Sequence, residues 1–329
     1  MRWFGPLALA LALALLAACG PVTGGGGGEP ATSGTAGTRA APDPTGTPTR
    51  PADLTPDRGR MLATVRALAG GVGPREATSP AYARASRLVE GRLHGLGYDV
   101  RRQRLGVPQG VSWGVPVRAG NTLNVIAEPR GFDVTRPHLV IGAHLDTVPQ
   151  APGAEDNASG VAVLLELARL AAAAPPRLPV VFVAFGAEEP RGPGDDDHHF
   201  GSRAYVAGLG ERARAALVGM VSLDRVGVGE AVPVCTGGRA SPRLADALLA
   251  RAERLGIPAV RCDNRSSDHW SFERAGLTAA RLGATPYAAY HSSRDRPGVV
   301  EPHQLARVSR LAWEALRTGA RSPRRSAPG

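Results

Sequence analysis

Short apolar runs alternate along the chain with longer stretches in which apolar residues recur every three or four positions. The runs, each flanked by turn-forming residues, cover 123–127, 139–143, 180–185, 217–223 and 279–282. The helical stretches follow a first capped helix at Thr55-Pro56 and cover 81–96, 161–174, 242–255 and 304–318. Short buried strands that alternate with amphipathic helices predict an α/β fold. We expect a single three-layer α/β/α domain with a mostly parallel, mixed central sheet.

The N-terminus has the pattern of an export signal. Arg2 precedes an apolar run from Leu7 to Ala18, which is shorter than a membrane-spanning helix needs. The order Leu16-Ala17-Ala18-Cys19 resembles the lipobox of bacterial lipoproteins. That resemblance implies a signal peptide over residues 1–19, acylation of Cys19 and a lipid-anchored position outside the cytoplasm. An ordinary cleaved signal peptide and an uncleaved anchor are the alternatives.

Composition sets the remaining boundaries. Residues 20–52 are mainly Gly, Thr, Pro, Ala and Ser, with little apolar surface to bury, so they predict a disordered tether. Residues 322–329 predict a disordered tail. The intervening residues 53–321 are enough for one α/β domain with a large core, and we expect a monomer.

The charge pattern gives no sign of a nucleic-acid surface. The formal net charge is +10, every basic residue is arginine, and the arginines are spread along the chain. A nucleic-acid-binding protein would be expected to cluster them on a recognisable module. The cysteines other than Cys19 are Cys235 and Cys262, which can form a disulfide outside the cytoplasm; two buried thiols are the alternative.

Histidines and carboxylates stand where predicted strands end or where helices begin. They are His144, Asp156, Glu188, Glu189, Asp224 and His291. Ligands of a parallel sheet bind beyond the carboxyl ends of its strands, so these residues are expected to meet there. Taken singly, each could be a helix cap, a turn former or a surface group. Together, their nitrogen and oxygen atoms suit zinc, a shared carboxylate can bridge two ions, and adjacent glutamates can supply a ligand and a general base.

The order of these residues resembles the family of secreted bacterial dinuclear zinc aminopeptidases, which are leucyl aminopeptidase-like, over nearly all of residues 54–318. The resemblance implies a zinc-exopeptidase-like fold. It also implies an exopeptidase that removes N-terminal residues from peptides with a free N-terminus through hydroxide bound to two zinc ions. In this assignment Asp156 bridges the two ions. His144 and Asp224 complete one site, and Glu189 and His291 complete the other.

The same resemblance assigns roles around the metals. Glu188 would be the general base, and Tyr290 would support the oxyanion of the tetrahedral intermediate. Asp146 would orient the imidazole of His144. The segment that starts at Arg265 is similar to the family's Ser-Asp-His pocket wall, in which Arg265 or Asp268 would contact the substrate and the neighbouring histidine is expected to be structural.

One departure from the family pattern follows the glutamate pair. The family often continues directly to a Gly-Ser helix start, whereas this chain inserts the polar segment Arg191–Phe200. The segment could gate the pocket, select a basic substrate end, bind another ion, or be a solvated loop.

Two other functions fit the same residues. A glutaminyl cyclase, a relative in this fold, would close an N-terminal glutamine with a single zinc. A surface binding protein would keep the fold and lose the chemistry, although the complete set of ligands and Glu188 favours an enzyme. Residues 142–149 also resemble a family of dipeptidases and deacylases, but that family has a later bridging aspartate and a lid domain for which this chain has no room.

Overall fold

A computed structural model of the chain describes residues 54–318. The predicted signal peptide with Cys19, the tether and the C-terminal tail lie outside the described residues. Among residues 54–318, no helix is both long enough and apolar enough to cross a membrane.

Eight strands form one mixed sheet in the order β1-β4-β6-β5-β7-β10-β8-β9. They are β1 (Asp99–Val107), β4 (Gly120–Glu128), β5 (His138–His144), β6 (Val180–Phe185), β7 (Leu217–Leu223), β8 (Val232–Thr236), β9 (Ala259–Asp263) and β10 (Ala279–Leu282). The four inner strands β6, β5, β7 and β10 are parallel, and β1, β4 and β8 pair antiparallel to their inner neighbours. The predicted mixed α/β fold is confirmed.

Helices cover both faces of this sheet. They are α1 (Arg58–Val65), α2 (Pro80–Gly95), α3 (Gly160–Ala173), α4 (Phe200–Ala207), α5 (Glu211–Ala216), α6 (Arg243–Leu255), α7 (His269–Arg274) and α8 (Pro302–Thr318). A π-helical turn, Arg66–Val72, extends α1. A separate hairpin of β2 (Gly110–Ser112) and β3 (Val115–Val117) precedes β4.

The core has two layers because successive strand residues point to opposite faces of the sheet. In β6, Val180 and Phe182 pack with buried residues of α1, α2, α3, α6 and α8, whereas Val181 and Val183 pack with residues of α4 and α7. Both faces of the inner strands are therefore apolar, which explains why these strands appear in the sequence as continuous apolar runs.

Several elements were not predicted from the apolar pattern. Strand β1 contains Arg101, Arg102 and Arg104 and lies at the edge of the sheet with much of its length exposed, so it lacks an apolar run. Strands β8 and β9, the hairpin β2–β3 and the short helices α4, α5 and α7 were also missed. Short or half-exposed elements bury too few apolar side chains to produce a clear period.

A disulfide joins the last two strands at the other edge. Cys235 of β8 lies opposite Cys262 of β9, with 4.4 Å between their Cα atoms, and the two sulfur atoms are bonded. The bond adds a covalent link between edge strand β9 and β8, which is its neighbour in the sheet.

Candidate metal centre

Three neighbouring parallel strands place four of the predicted residues at the carboxyl-terminal ends of the sheet's inner strands. His144 is the last residue of β5, and it lies opposite Phe185, the last residue of β6. Glu188 and Glu189 follow β6 after a short turn, and Asp224 directly follows β7. Because β5 lies between β6 and β7, these polar side chains converge beyond the carboxyl ends of the strands.

Two loops supply the other ligand candidates. Asp156 lies in the turn Ala154–Ser159 that leads into α3, and His291 lies between β10 and α8. Asp295 joins the loops, since its carboxylate accepts the backbone N–H groups of Glu155 at 2.9 Å and of Asp156 at 3.2 Å. A Cβ at Gly160, where α3 begins, would lie 2.2 Å from the carbonyl oxygen of Leu223, so glycine allows this close approach.

Five of the six candidate side chains form two groups that share Asp156. One group is His144, Asp156 and Asp224, and the other is Asp156, Glu189 and His291. Nε2 of His144 lies 3.1 Å from Oδ1 of Asp156 and 3.7 Å from Oδ1 of Asp224. Nε2 of His291 lies 3.1 Å from Oδ2 of Asp156 and 3.3 Å from Oε2 of Glu189. Each oxygen of Asp156 thus faces a different histidine.

The electrostatics of the cluster suit cations. Burial and the neighbouring carboxylates raise the pKa of Glu188 to about 8, although the charge of His144 opposes the shift. Burial and the charge of Asp156 likewise raise the pKa of Glu189 to about 7, and its Oε1 is buried without a hydrogen-bond partner. Imidazole and carboxylate donors at this spacing, with excess negative charge out of water, fit divalent ions such as zinc.

The negative charge of the carboxylates also raises the pKa of the two histidines. Burial alone would lower the pKa of His291, but Glu189 and Asp156 outweigh it and raise the pKa to about 10. For His144 burial is again outweighed, by Glu188 and the other carboxylates, and its pKa lies well above the usual value. The surrounding carboxylates therefore favour positive charge on both imidazoles.

Asp146 makes different contacts from those that the resemblance implied. Its Oδ1 lies 3.8 Å from Nδ1 of His144, beyond hydrogen-bond distance, and the imidazole instead contacts the carbonyl oxygen of Asp146 at 3.2 Å. The carboxylate accepts the backbone N–H groups of Glu188 and Glu189, each at 3.1 Å. These amides follow the end of β6 and lack a strand partner. The carboxylate of Asp146 therefore contacts the backbone of the glutamate pair more closely than it contacts the imidazole of His144.

Aromatic groups surround His291 at the mouth of the site. The ring of Tyr290 stacks on that of His291 at 3.7 Å between centroids, and the guanidinium of Arg225 lies 4.6 Å from the centre of the Tyr290 ring. Trp113, at the tip of the β2–β3 hairpin, meets His291 edge-on at 4.3 Å and is 54 % exposed. Tyr290 thus lies beside the candidate metal ligands, partly open to solvent.

The predicted pocket-wall residues differ in exposure. Asp268 is buried, both of its carboxylate oxygens lack a hydrogen-bond partner, and burial with the charge of Glu188 raises its pKa to about 7. Arg265 is exposed, lies over the ring of Trp270 at 5.0 Å and donates to the carbonyl oxygen of Gly237. His269 is buried and bonds the carbonyl oxygen of Asn264, as expected of a structural residue.

Some residues of the site were not found from the sequence. The guanidinium of Arg281 is buried in β10, 3.1 Å from Oδ1 of Asp224, and also donates to Oδ1 of Asn264 and the carbonyl oxygen of Ser266. Arg75 is buried and donates to the carbonyl oxygen of Leu145 and to others in the loop that follows. A charged residue inside an apolar run, as at Arg281, is the one signal that could have indicated a buried partner.

Comparison with protein families places these residues in a known group. Residues 124–316, more than half of the chain, match the family described as peptidase family M28. The chain belongs to peptidase family M28. The match contains His144, Asp156, the glutamate pair, Asp224 and His291.

Relatives and solved structures agree with this membership. The chain is 32 % identical over 205 residues to aminopeptidase YwaD of Bacillus subtilis, which covers 59 % of this chain and 44 % of that protein. It thus spans less than half the length of this curated relative. Among solved structures, a zinc aminopeptidase from Bacillus subtilis superposes with a TM-score of 0.69 at 18 % identity over 80 % of this chain and 96 % of that chain. The structure of Fimbriiglobus ruber glutaminyl cyclase superposes with a TM-score of 0.69 at 24 % identity, over 81 % of this chain and 96 % of that chain. At these identities the structures establish the shared fold.

Proposed function

We propose that this chain is an aminopeptidase that uses two zinc ions to hydrolyse N-terminal residues from peptides. The observation that carries the proposal is the pair of donor groups that share Asp156, with Glu188 beside them. Membership of a peptidase family and relatives named aminopeptidase support the reaction class. His144 and Asp224 would hold one ion, Glu189 and His291 the other, and Asp156 both.

Zinc in this site would polarise the scissile carbonyl and make water acidic enough to attack at neutral pH. The transfer of protons would be carried out by the chain's own residues. Oε2 of Glu188 lies 3.9 Å from Nε2 of His144, so its carboxylate borders the metal ligands without being needed as one. Glu188 would take a proton from the attacking water and give it to the leaving amine.

Other side chains would position the reactants. Asp146 fixes the backbone of the glutamate pair, and Tyr290 stands beside His291, where its hydroxyl can support the oxyanion. Burial and the nearby carboxylates keep the pKa of Tyr290 above its usual value, so the hydroxyl remains a proton donor. Buried Asp268 is proposed to contribute to substrate binding, whereas Arg265 would act from the exposed rim.

The proposal is tested by metal analysis together with hydrolysis of a panel of aminoacyl-anilides. About two zinc ions per chain and chelator-sensitive release of single amino acids are expected. Glu188→Gln should retain the metal and lose activity by about 100- to 10,000-fold, because only the proton carrier is removed. Full activity of a zinc-loaded Glu188→Gln protein would exclude this mechanism.

A glutaminyl cyclase is the second candidate, because solved cyclases share the fold at a TM-score of 0.69. A cyclase would use one zinc and release ammonia from substrates with an N-terminal glutamine. One bound zinc, no anilide hydrolysis and ammonia release from glutaminyl substrates would decide for the cyclase. Bound zinc without either activity would indicate a binding protein.

We also propose that the protein is anchored outside the cytoplasm by acylation of Cys19, on the strength of the Leu16-Ala17-Ala18-Cys19 sequence. Labelling with a radioactive or clickable fatty acid should mark the wild-type chain in membranes. Cys19→Ser should abolish the label. Equal labelling of both proteins would exclude this anchor.

A further inference from the structure

The inserted segment after the glutamate pair closes back onto that pair. The backbone N–H of Arg191 donates to the carbonyl oxygen of Asp197 at 2.8 Å, which folds the segment on itself. Its far end returns to the start, because the N–H of His199 donates to the carbonyl oxygen of Glu188 at 3.0 Å and the N–H of Phe200 to that of Ala187 at 2.8 Å. The loop is therefore fastened to the backbone of Glu188.

Because the segment closes in this way, the side chain of His199 points towards Glu188 in the candidate metal centre. His199 has a left-handed backbone with φ of 57°, which costs a non-glycine residue energy and persists only where the surroundings hold it. The side chain is buried, with Nε2 lying 3.2 Å from Oε1 of Glu188. In the present orientation Nε2 is buried and has no hydrogen-bond partner. A small rotation of the imidazole would let an Nε2–H donate to Oε1 of Glu188.

Glu188 requires such a partner because it lies close enough to the cluster to act as a ligand itself. With His144 and Glu189 it forms a third group that could hold a metal ion. A glutamate bound to metal could no longer accept a proton from water. The imidazole of His199 is buried beside Glu188, and in the tautomer protonated at Nε2 it can donate one N–H.

We propose that His199 is a positioning residue whose Nε2–H binds Oε1 of Glu188 and keeps this carboxylate off the metals, leaving Oε2 free for proton transfer. The inference rests on the proposed role of Glu188 as general base. It gives the inserted segment a function, which is to deliver a hydrogen-bond donor to the base. The adjacent His198 is half-buried and makes no hydrogen bond or ion pair with Glu188, so it provides a matched control.

The test compares His199→Leu and His199→Gln with the same substitutions at His198. In the full zinc-loaded protein, His199→Leu should lower kcat for aminoacyl-anilides by about 10- to 100-fold and change KM little, because it displaces a proton carrier and not a substrate contact. His199→Gln should recover most of kcat, since its amide also donates an N–H. Both His198 variants should match the wild type. Equal kcat in His199→Leu and His198→Leu would overturn the proposal.

A second measurement separates this inference from the proposed function. Cobalt is substituted for zinc, and the visible absorption of the ion reports its ligands. In His199→Leu the spectrum should change as Glu188 joins the metal, and adding Glu188→Gln should reverse the change. If the wild type cleaves no aminoacyl substrate, the aminopeptidase proposal fails while this spectral test still decides on His199. An unchanged His199→Leu spectrum overturns the inference about His199. If His199→Leu does not fold, His199→Asn, whose shorter amide cannot reach Oε1, replaces it with the same expectations.

Discussion

The guanidinium of Arg281 lies 3.1 Å from Oδ1 of Asp224, and both side chains are buried. Burial would favour the neutral carboxyl, but Arg281 and His144 outweigh it and hold the pKa of Asp224 below its usual value. Asp224 is therefore kept ionised by a partner that is not a metal. The second guanidinium near the same oxygen belongs to Arg225, at 3.8 Å.

Replacing Arg281 with methionine should destabilise the zinc-free protein by about 3 to 5 kcal/mol, because it leaves a buried carboxylate without its charged partner. Zinc at Asp224 would then compensate that charge, so the loss should be smaller in the zinc-loaded protein. Denaturant unfolding with zinc and with chelator measures both values.

Arg225→Met is the control for this effect. Its guanidinium is farther from Asp224, at 3.8 Å, so the expected loss is smaller than that for Arg281→Met. Equal losses for the two variants, or a loss at Arg281 that zinc does not reduce, would contradict the electrostatic account.

The proposed sharing of Asp156 by two ions predicts a characteristic pattern of metal content. Asp156→Ala should remove both zinc ions, because each oxygen of Asp156 faces a different half of the site. His291→Ala should remove only the ion held with Glu189. Elemental analysis of the purified variants gives the number of zinc ions per chain. A single ion retained in Asp156→Ala would show that the halves are independent.

Zinc binding should release protons. Burial opposes protonation, but the carboxylates outweigh it, raise the pKa of His291 to about 10 and raise that of His144, which favours protonated imidazoles in the zinc-free protein. Zinc requires the neutral nitrogen, hence affinity should weaken as the pH falls and strengthen as it rises towards 10. Calorimetry in buffers of different ionisation heat measures the release. Binding heats that do not vary with the buffer would refute it.

Loss of the disulfide should reduce stability without changing the metal site. Cys235 and Cys262 are 27 residues apart, a separation at which a crosslink contributes about 3 kcal/mol by restricting the unfolded chain. Cys235→Ser with Cys262→Ser should lower the free energy of unfolding by that amount, as measured by urea denaturation. Zinc content should remain at the wild-type value, and reductant should have no effect on the double variant. An undiminished free energy would contradict the prediction.

The sequence determined the fold class and indicated the six residues that the structure brings together at the candidate metal centre, because each of them follows a buried apolar run or flanks a helix. His144, the glutamate pair and Asp224 lie at or just after the ends of strands that can be recognised in the sequence as apolar runs. Parallel strands have their carboxyl ends on the same side of the sheet, so these residues lie close together. Asp146 was also indicated by the sequence; its carboxylate accepts the backbone N–H groups of Glu188 and Glu189 and lies 3.8 Å from the imidazole of His144.

Only the tertiary structure decided which groups support those residues. Arg281 reaches Asp224 because β10 lies beside β7, a strand order that local periodicity does not encode. Asp295 holds Asp156 across a long separation in sequence, and His199 reaches Glu188 because an irregular loop folds back with a left-handed residue. Ligand positions follow from strand ends, which are local features of the sequence. The partners of those ligands depend on strand order and loop closure, which are set by packing over the whole domain.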